Sequence, residues 1–493
     1  MKSFYRTFYI LASFMVLSCG DDDESLNTKP VAAFSYNIGG VAETGETITF
    51  TDLSYDLDGE VVEWAWDFGN GDTSVEASTT YAYNTEGDYT ITLTVTDNNG
   101  EQNATVFSKD VSVLVPSNAT TEPTVVWTYE APYYSTNSSV AVSDAGIVYF
   151  GTDGKSSDLT RGNYNMFAVQ NGNFLFGTLT DEVVRASAAI AADGTAYIGD
   201  YNGEFVAFNT DGSQKWHVDL GDRIKYSSPA IAPDGTIYIG MEDDDALLAI
   251  NPDTGSINWS FAVGDDIRAT PVVAADGTIF VASSDGYFYA VNPDGTQKWS
   301  VAYGNYTAGA PAISESMGAV CLTGKTSDNT GHLMAFDMAT GTVYWDNGSR
   351  PDAKMEQGGP TLSADGSTIY AGGEDNQLVA YNVDGTVKWT FEATGRVLSA
   401  PAIDNLGQIY FGDDSGYFYV LDEEGEVAWK TTKLNEDIRS SPVIDANGII
   451  YILTRNNTDK KGTVYALSTN ASGAADGEWP MLSQNTRHTG SSN

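Results

Sequence analysis

The sequence predicts an all-β protein, in which an immunoglobulin-like β-sandwich is followed by an eight-bladed β-propeller. Polar and apolar residues alternate with period two over many short runs, as half-buried strands require. The 493 residues include 50 glycines and 12 % aromatics, which suit tight turns and pleated surfaces. A segment of about forty residues also repeats through most of the second part of the chain, which is typical of stacked, similar units.

The first residues are predicted to be a targeting segment. Lys2 and Arg6 precede an apolar run over residues 8–17, which is too short to cross a bilayer. The run ends at Val16-Leu17-Ser18-Cys19, which resembles a bacterial lipobox. The resemblance implies that residues 1–19 are a lipoprotein signal peptide and that Cys19 carries the lipid.

An acidic stretch follows the cysteine and opens a tether over residues 20–30. Gly20-Asp21-Asp22-Asp23-Glu24 resembles the surface-export signal of Bacteroidetes lipoproteins. This implies an outer-membrane lipoprotein, displayed on the cell surface and held to the membrane by its lipid. The alternative is a plain acidic spacer on a lipoprotein that faces the periplasm.

The charge balance excludes one class of partner. The chain has 24 Lys and Arg against 67 Asp and Glu, a formal net charge of -43, so its surface repels phosphate backbones and we expect no nucleic-acid binding. Many of these acids stand in Asp-Gly turns, where Asp is favoured by turn chemistry. Besides Cys19 the only cysteine is Cys321, which lies in an apolar run and is predicted to be a small buried hydrophobe.

Residues 31–115 are predicted to form the sandwich. Residues 46–53 and 89–96 alternate as half-buried strands do. Between them, Trp64-Ala65-Trp66-Asp67-Phe68-Gly69-Asn70-Gly71-Asp72 resembles the signature of PKD domains. The resemblance implies a spacer or a module that contacts protein or glycan, without catalysis. Asp56 and Asp58 are weak candidates for Ca²⁺ ligands, with an Asx turn as the alternative, and residues 116–124 are predicted to be a linker.

The repeat occupies residues 125–470 and is marked by a proline at the start of an apolar strand. Six copies carry it, at spacings of 40 to 49 residues, and Val140 and Ala188 fill the same position in two earlier copies. The marker prolines are Pro229, Pro271, Pro311, Pro360, Pro401 and Pro442. Four strands per unit at this period predict propeller blades, which must stack in a closed ring to bury both faces.

The eighth unit lacks an outermost strand in the place where the other units have one. The outermost strand of most units carries a tryptophan, and residues 125–129, Val-Val-Trp-Thr-Tyr, have that strand's pattern without a unit of their own. We therefore expect this segment to complete the eighth blade. Residues 471–493 are left as a C-terminal tail.

The repeats resemble the pyrroloquinoline-quinone-like propeller family. Residues 251–259 and 337–345 show its pattern, in which Asp, Thr-Gly and Trp stand at fixed spacing. That family includes an assembly factor of the outer membrane and quinone-dependent dehydrogenases, so the resemblance implies the fold and leaves the chemistry open.

The sequence does not favour an enzyme. A dehydrogenase of this superfamily would need calcium, a catalytic aspartate and typically a vicinal disulfide, which the lone Cys321 cannot form. His217, His332 and His488 are scattered, so no histidine-rich metal site is indicated. We expect no cofactor; pyrroloquinoline quinone is not expected, although calcium remains open.

A binding face is predicted at one end of the propeller, where the loops between second and third strands and the connections from one blade to the next open on the same side. Long loops of the first and eighth units carry several cations, and polar residues stand three positions before the marker proline, where they would ring the central channel. The candidate ligand-binding residues are Lys155, Arg161, Arg185, Tyr226, Arg268, Gln357, Arg439, Arg455, Lys460 and Lys461. An acidic polysaccharide or a carboxylate-rich peptide would suit them; alternatively, each arginine pairs with a nearby acid, such as Asp266 or Asp437.

Three functional classes follow. The first is a non-catalytic surface lipoprotein whose propeller is a binding or scaffold module for polysaccharide or a partner protein. The second is a lipoprotein similar to the outer-membrane protein assembly factor, and the third is a quinoprotein oxidoreductase.

Overall fold

The computed structural model describes residues 29–36, 41–43, 47–56, 59–85, 87–98, 107–114, 123–154, 164–326, 328–347, 350, 353–355, 358–431 and 433–492. The signal peptide, Cys19 and most of the acidic tether lie outside these residues. The chain forms two compact units, Met1–Ala119 and Thr120–Asn493. Within the described residues, the model contains no helix with the length and apolar character that crossing a membrane takes.

The first unit is a sandwich of two sheets. Its strands are β1 Phe34–Tyr36, β2 Val41–Glu43, β3 Ile48–Asp52, β4 Val61–Asp67, β5 Thr73–Ser74, β6 Thr79–Tyr81, β7 Gly87–Asp97 and β8 Phe107–Leu114. One sheet has the order β1-β3-β6 and the other β2-β8-β7-β4-β5. Ile91, Leu93 and Val95 alternate along β7 and are fully buried against Phe50 and Trp66, which confirms the period-two prediction for this strand.

The second unit is a β-propeller, and its described residues hold eight sheets, here called blades 1 to 8 in chain order. Blades 1 to 4 consist of β10 Ala141–Val142, β11 Val148–Gly151, β12 Met166–Gln170 and β13 Asn173–Thr178; β14 Ala189–Ile190, β15 Ala196–Gly199, β16 Glu204–Phe208 and β17 Gln214–Asp219; β18 Ala230–Ile231, β19 Ile237–Gly240, β20 Ala246–Ile250 and β21 Ile257–Ala262; β22 Val272–Val273, β23 Ile279–Ala282, β24 Tyr287–Val291 and β25 Gln297–Ala302.

Blades 5 to 7 repeat the same antiparallel order from the inside outward. Their strands are β26 Ala312–Ser314, β27 Ala319–Lys325, β28 Gly331–Asp337 and β29 Val343–Asp346; β30 Thr361–Leu362, β31 Thr368–Gly372, β32 Gln377–Asn382 and β33 Val387–Glu392; β34 Ala402–Ile403, β35 Ile409–Gly412, β36 Phe418–Leu421 and β37 Val427–Lys430.

Blade 8 joins the two ends of the propeller. It contains β38 Asp437–Ile438, β39 Val443–Ile444, β40 Ile449–Arg455, β41 Gly462–Ser468 and, as its outermost strand, β9 Thr124–Ala131. Tyr129 stands opposite Val464, and Trp127 opposite Ala466, in an antiparallel ladder. The predicted pairing of residues 125–129 is confirmed, and it leaves no open edge on β41.

A tryptophan on the outermost strand fastens each of several blades to the next. The Trp259 indole lies on Gly295 of the following blade, where a Cβ would stand 2.9 Å from the ring, and its Nε1–H donates to the Pro293 carbonyl at 3.0 Å. Equivalent bonds run from Trp216 to Pro252, Trp299 to Met338, Trp345 to Val383 and Trp389 to Glu423. The glycine in the repeat is therefore needed both for its positive φ and for the indole that covers it.

The C-terminal tail closes one end of the central channel. Tail carbonyls accept backbone N–H bonds from the innermost strands of six blades: Val142 to Thr486, Ile190 to Arg487, Ile231 to Thr489, Val273 to Gly490, Leu362 to Trp479 and Ile403 to Pro480, all at 2.7–2.8 Å. The Glu478 carboxylate accepts bonds from Ser314 and Ser316 in a fifth-blade turn between first and second strands. Trp479 and Met481 are buried, so the tail forms a hub at the end of the channel where these turns lie.

Candidate binding face of the propeller

The end of the propeller opposite the tail is formed by two kinds of segment. They are the loops between second and third strands and the connections from a fourth strand to the next blade's first strand, and we call this end the loop face. Most lysines and arginines that the structure describes in the propeller stand in these segments or at the strand ends that border them: Arg185, Arg223, Lys225, Arg268, Lys325, Arg350, Lys354, Arg396, Lys433, Arg439, Arg455, Lys460 and Lys461. The cations of a strongly acidic chain are thus concentrated at one end.

The turns at the tail end account for many of the acids. In Asp193, Asp234, Asp276 and Asp294 the carboxylate accepts the N–H of the residue two positions later, at 2.9–3.0 Å. These are the Asx turns expected from the Asp-Gly pairs. The hydrogen bonds hold the pKa of Asp294 below its usual range, so these turns remain negatively charged.

A buried glutamate gathers three cations on the loop face of blade 3. Glu242 is 2 % exposed. Its carboxylate lies 2.7 Å from Arg268 Nη2, 2.8 Å from Lys225 Nζ and 3.7 Å from Arg223 Nε. Arg268 also contacts Asp266 at 2.6 Å. A carboxylate this deeply buried is tolerated because opposite charges surround it, and in return it fixes the three cations in place.

A second buried acid organises the loop face of blade 8. Asp437 is 2 % exposed and pairs with Arg439 Nε at 3.1 Å and Arg455 Nη2 at 2.7 Å. Burial raises the pKa of Asp437, and the two arginines oppose that rise. One acid against two bases leaves this triad with a net positive charge.

Tyrosine rings stand beside the cations of the loop face. The Tyr201 ring centroid is 5.8 Å from Arg185, 5.6 Å from Arg223 and 5.7 Å from Lys225. The Tyr134 ring lies 5.3 Å from Arg455 and 5.4 Å from Lys460. These distances are within the range of cation–π attraction.

A polar pocket of about 50 Å³ opens at the centre of the loop face. Its lining residues are Asn137, Ser139, Ser187, Tyr226, Ser228, Thr270, Ala308, Ala310, Leu398, Arg439, Ser441 and Leu482. Five of them, Asn137, Tyr226, Ala308, Leu398 and Arg439, occupy the position three before the marker residue. Leu482 belongs to the tail, so the hub forms the floor of this pocket.

Two family models match the chain. Residues 201–327 and 329–487, more than half of the sequence, match the model described as outer membrane protein assembly factor BamB. The chain belongs to the BamB family. The PKD domain model matches residues 32–109, so both resemblances drawn from the sequence, to PKD domains and to the quinone-like propellers, are confirmed.

Solved structures share the fold of this BamB-family chain at low sequence identity. BamB from Moraxella catarrhalis superposes with a TM-score of 0.54 at 16 % identity, covering 70 % of this chain and 99 % of that one. A europium-containing methanol dehydrogenase gives 0.58 at 12 % identity, covering 72 % and 95 %. A fold shared by a BamB and a dehydrogenase leaves the activity of the chain open.

One curated relative matches only a short part of the chain. The pre-pro-metalloprotease PrtV of Vibrio cholerae is 43 % identical over 75 residues, which are 15 % of this chain and 8 % of that protein. The chain therefore spans less than a tenth of this relative's length.

The structure brings together some of the predicted ligand-binding residues and pairs others with acids. Tyr226 and Arg439 meet at the central pocket. Arg185 pairs with Asp153 at 3.3 Å, and Lys461 with Glu130. The other predicted residues lie as follows: Arg268 and Arg455 are bound to Glu242 and Asp437, Lys460 is exposed beside Tyr134, and Lys155, Arg161 and Gln357 are outside the described residues.

The alternative interpretation, in which each arginine pairs with a nearby acid, holds for all four candidate arginines that the structure describes. Arg185 pairs with Asp153, Arg268 with Asp266, and Arg439 and Arg455 with Asp437. Such pairing does not remove an arginine from recognition, because a guanidinium has five N–H donors in a fixed plane. Ligand binding by the predicted residues remains a prediction.

A cluster of three aspartates on the loop face has the geometry of a cation site. Oxygen atoms of Asp245, Asp265 and Asp266 lie within 4.8 Å of one another, and oxygen ligands of this kind suit Ca²⁺. Burial and neighbouring acids raise the pKa of Asp245 and Asp266. Of the calcium candidates from the sequence, Asp56 lies in the described part of the sandwich and Asp58 lies outside it.

Two buried side chains elsewhere in the propeller are poorly placed for chemistry. Cys321 is fully buried, and burial raises the pKa of its thiol to about 12, so it packs as the small hydrophobe expected from the sequence. His488 in the hub is fully buried, and burial lowers its pKa to about 4.

The sequence named Asp437 only as a partner of Arg439, and it did not single out Glu242 or the pocket serines. Glu242 stands in a run of four acids, where one buried member has no distinguishing mark. The serines had a signal, because Ser-Ser before the marker residue recurs in the first, third and eighth units.

Proposed function

We propose that this BamB-family chain is a non-catalytic scaffold whose loop face binds a protein partner at the outer membrane. The observation that carries the proposal is the concentration of cations on one end of an acidic propeller, where the buried acids Glu242 and Asp437 hold them in fixed positions. Cations and rings held before binding lose little conformational entropy when a partner arrives.

The composition of the loop face supports a protein partner. Arginine and tyrosine are the residues most often found at the energetic centres of protein interfaces. Arg185 and Arg223 both stand beside the Tyr201 ring on the loop face, and Tyr226 interacts electrostatically with Arg185. Membership in a family named for the assembly of outer-membrane proteins supports the same class of partner, and an assembly role is the specific form that this membership favours.

The groups that line the central pocket do not favour catalysis. The central pocket, at about 50 Å³, is far smaller than the roughly 300–1,000 Å³ usual for cofactor and ligand sites. Its described lining residues offer hydroxyls, one amide and one guanidinium, and none of them is a histidine or carboxylate that could act as a general base.

The proposed location is the outer membrane, with the lipid on Cys19 and the acidic tether holding the protein at the cell surface. The PKD unit then either spaces the propeller from the membrane or makes a contact of its own. Protease treatment of intact cells tests the location: cleavage of the propeller supports surface display, and protection supports the periplasm-facing alternative.

Site-specific photo-crosslinking in cells tests the binding face. A photoreactive residue replaces Asn457 on the loop face or Asn447 in a turn at the tail end, both exposed positions. We expect a protein adduct from position 457 and none from 447. Reversal of charge at Lys155, Arg161, Lys460 and Lys461 should reduce the adduct, and adducts equally strong from both ends would refute the assignment of the face.

A further inference from the structure

An arc of five hydroxyl groups lines one side of the central pocket, at the position directly before the marker residue. Ser441 N–H donates to Ser139 Oγ at 2.9 Å, Ser139 N–H to Ser187 Oγ at 2.8 Å and Ser187 N–H to Ser228 Oγ at 2.9 Å. The series continues from Ser228 to Thr270 Oγ1 at 3.1 Å and begins with a bond from Ala400 to Ser441 Oγ at 3.0 Å. These bonds link blades 7, 8, 1, 2, 3 and 4.

Each of these five hydroxyl oxygens accepts a hydrogen bond from a backbone N–H, so its own O–H proton remains available for donation. A hydroxyl has one O–H to donate in addition to its lone pairs. In the part of the chain that the structure describes, the five oxygens accept backbone N–H groups and have no protein acceptor for their own protons. All five residues are 3–6 % exposed and line the pocket, so their O–H groups converge on its interior.

The charged groups of the pocket, like its donors, favour an anionic ligand. None of the twelve lining residues that the structure describes is an aspartate or glutamate, although the chain has 67 of them. Arg439 contributes the only formal charge among them, and its bond to Asp437 uses Nε, which leaves the two Nη groups for another acceptor. Donors without a carboxylate define a site for an anionic group.

The pocket has an apolar side, which narrows the class of ligand. Blades 5 and 7 contribute Ala308, Ala310 and Leu398, and the floor is Leu482. On this side Ala310, Gly359 and Ala400 stand where the other blades have hydroxyls. The strands approach so closely that a Cβ on Gly359 would lie 2.2 Å from the Ala310 carbonyl oxygen. Hydrogen-bond donors on one side and apolar side chains on the other suit a carboxylate on a short hydrocarbon stem. An inorganic oxyanion, or a sugar ring with hydroxyls on every side, would leave polar groups against the apolar side.

We propose that the central pocket receives the carboxylate of one glutamate side chain from the partner protein. The carboxylate faces Arg439 and the hydroxyl arc, and the methylene groups of the stem pack on Ala308, Leu398 and Leu482. This inference rests on the proposed binding of a protein at the loop face and adds the recognition group at its centre.

Peptide titration of the full chain tests the pocket. The probes are acetyl-Ala-Glu-Ala-amide, the same peptide with Gln, and digalacturonate, observed by saturation-transfer NMR at 0.15 M salt, a condition that screens the net charge beyond about 8 Å. We expect the Glu peptide to bind at least tenfold more tightly than the Gln peptide. Equal affinities would overturn the proposal, and tighter binding of digalacturonate would assign the pocket to a polysaccharide instead.

A pair of variants at the mouth of the pocket separates charge from shape. Ala308→Asp places a carboxylate beside the pocket, and Ala308→Asn adds a neutral side chain of the same size. We expect A308D to bind the Glu peptide at least tenfold more weakly than A308N, because the two variants add side chains of similar size and differ in charge, and melting curves verify that both variants fold. Unchanged affinity in A308D would overturn the proposal.

The crosslinking assay separates failure of the pocket from failure of the proposed function. If A308D keeps the adduct at position 457 and the peptides fail to discriminate, the loop face binds a protein without using the pocket. If the loop face gives no adduct in cells, the scaffold function fails whatever the peptides do.

Discussion

The contact between tryptophan and glycine that links neighbouring blades can be tested with two glycines of equal φ. Gly295 and Gly221 both have φ of +84°. An added Cβ at Gly295 would meet the Trp259 ring at 2.9, 3.1 and 3.2 Å, whereas nothing lies within 4 Å of one at Gly221. Ala in this left-handed conformation costs about 1–2 kcal/mol at either site.

The difference between the two substitutions therefore measures the interblade contact. Overpacking costs about 1–3 kcal/mol, and displacement of Trp259 also strains its bond to the Pro293 carbonyl, for which about 1 kcal/mol is typical. We expect Gly221→Ala to lower the free energy of unfolding by about 1–2 kcal/mol and Gly295→Ala by about 3–6 kcal/mol, a difference of about 2–4 kcal/mol.

Calorimetric melting of the full chain provides the assay, with the propeller transition compared among the natural chain and the two variants. A double-mutant cycle with Trp259→Ala checks the mechanism, because the excess cost at Gly295 should vanish once the indole is absent. Equal melting temperatures for Gly295→Ala and Gly221→Ala would show that the indole does not fasten the blades.

Three further predictions concern single positions. Phe176 lies on Gly212 where other blades have tryptophan, so Phe176→Trp should add a bond to the Thr210 carbonyl and stabilise by about 1 kcal/mol, seen as a higher melting temperature. Because the pKa of His488 is about 4 in the fold, the unfolded state binds more protons below pH 6.5. Stability should fall by about 3 kcal/mol from pH 6.5 to 4, and His488→Asn should remove this loss. Burial raises the pKa of Asp404 to about 6, so its charge destabilises the fold above that pH by about 3 kcal/mol. Stability should therefore rise as the pH falls from 7 to 4, and Asp404→Asn should flatten this rise. The control is Asp445→Asn, at a half-buried aspartate in the equivalent turn of blade 8.

The repeat made the architecture predictable because the same physical constraint acts in every blade. An apolar strand of period two, an Asp-Gly turn and a tryptophan recur at similar spacing, and each can be recognised in the sequence without knowledge of the residues that it contacts. The pairing of residues 125–129 with β41 followed from one missing strand and one surplus strand. Such inferences need only local pattern and the requirement that an open sheet edge be covered.

The organisation of the loop face could not be predicted in the same way, because it depends on contacts between segments far apart in sequence. Arg455 meets Asp437 across eighteen positions, and Ser441 meets Ser139 across 302. The sequence showed that Asp266 and Arg268 share a side of a strand. It did not show that Glu242, from another loop, would take the same arginine.

The tail illustrates how a segment without repeat pattern can decide where binding occurs. Its backbone satisfies the innermost strands of six blades and its Leu482 closes the central pocket from below. A propeller channel that is sealed at one end has a single mouth, and the cations and hydroxyls of this chain stand at that mouth. Recognition at the loop face therefore depends on the tail, because without the hub the same donors would line an open water-filled tunnel and lose the partial desolvation that strengthens a charge-assisted hydrogen bond.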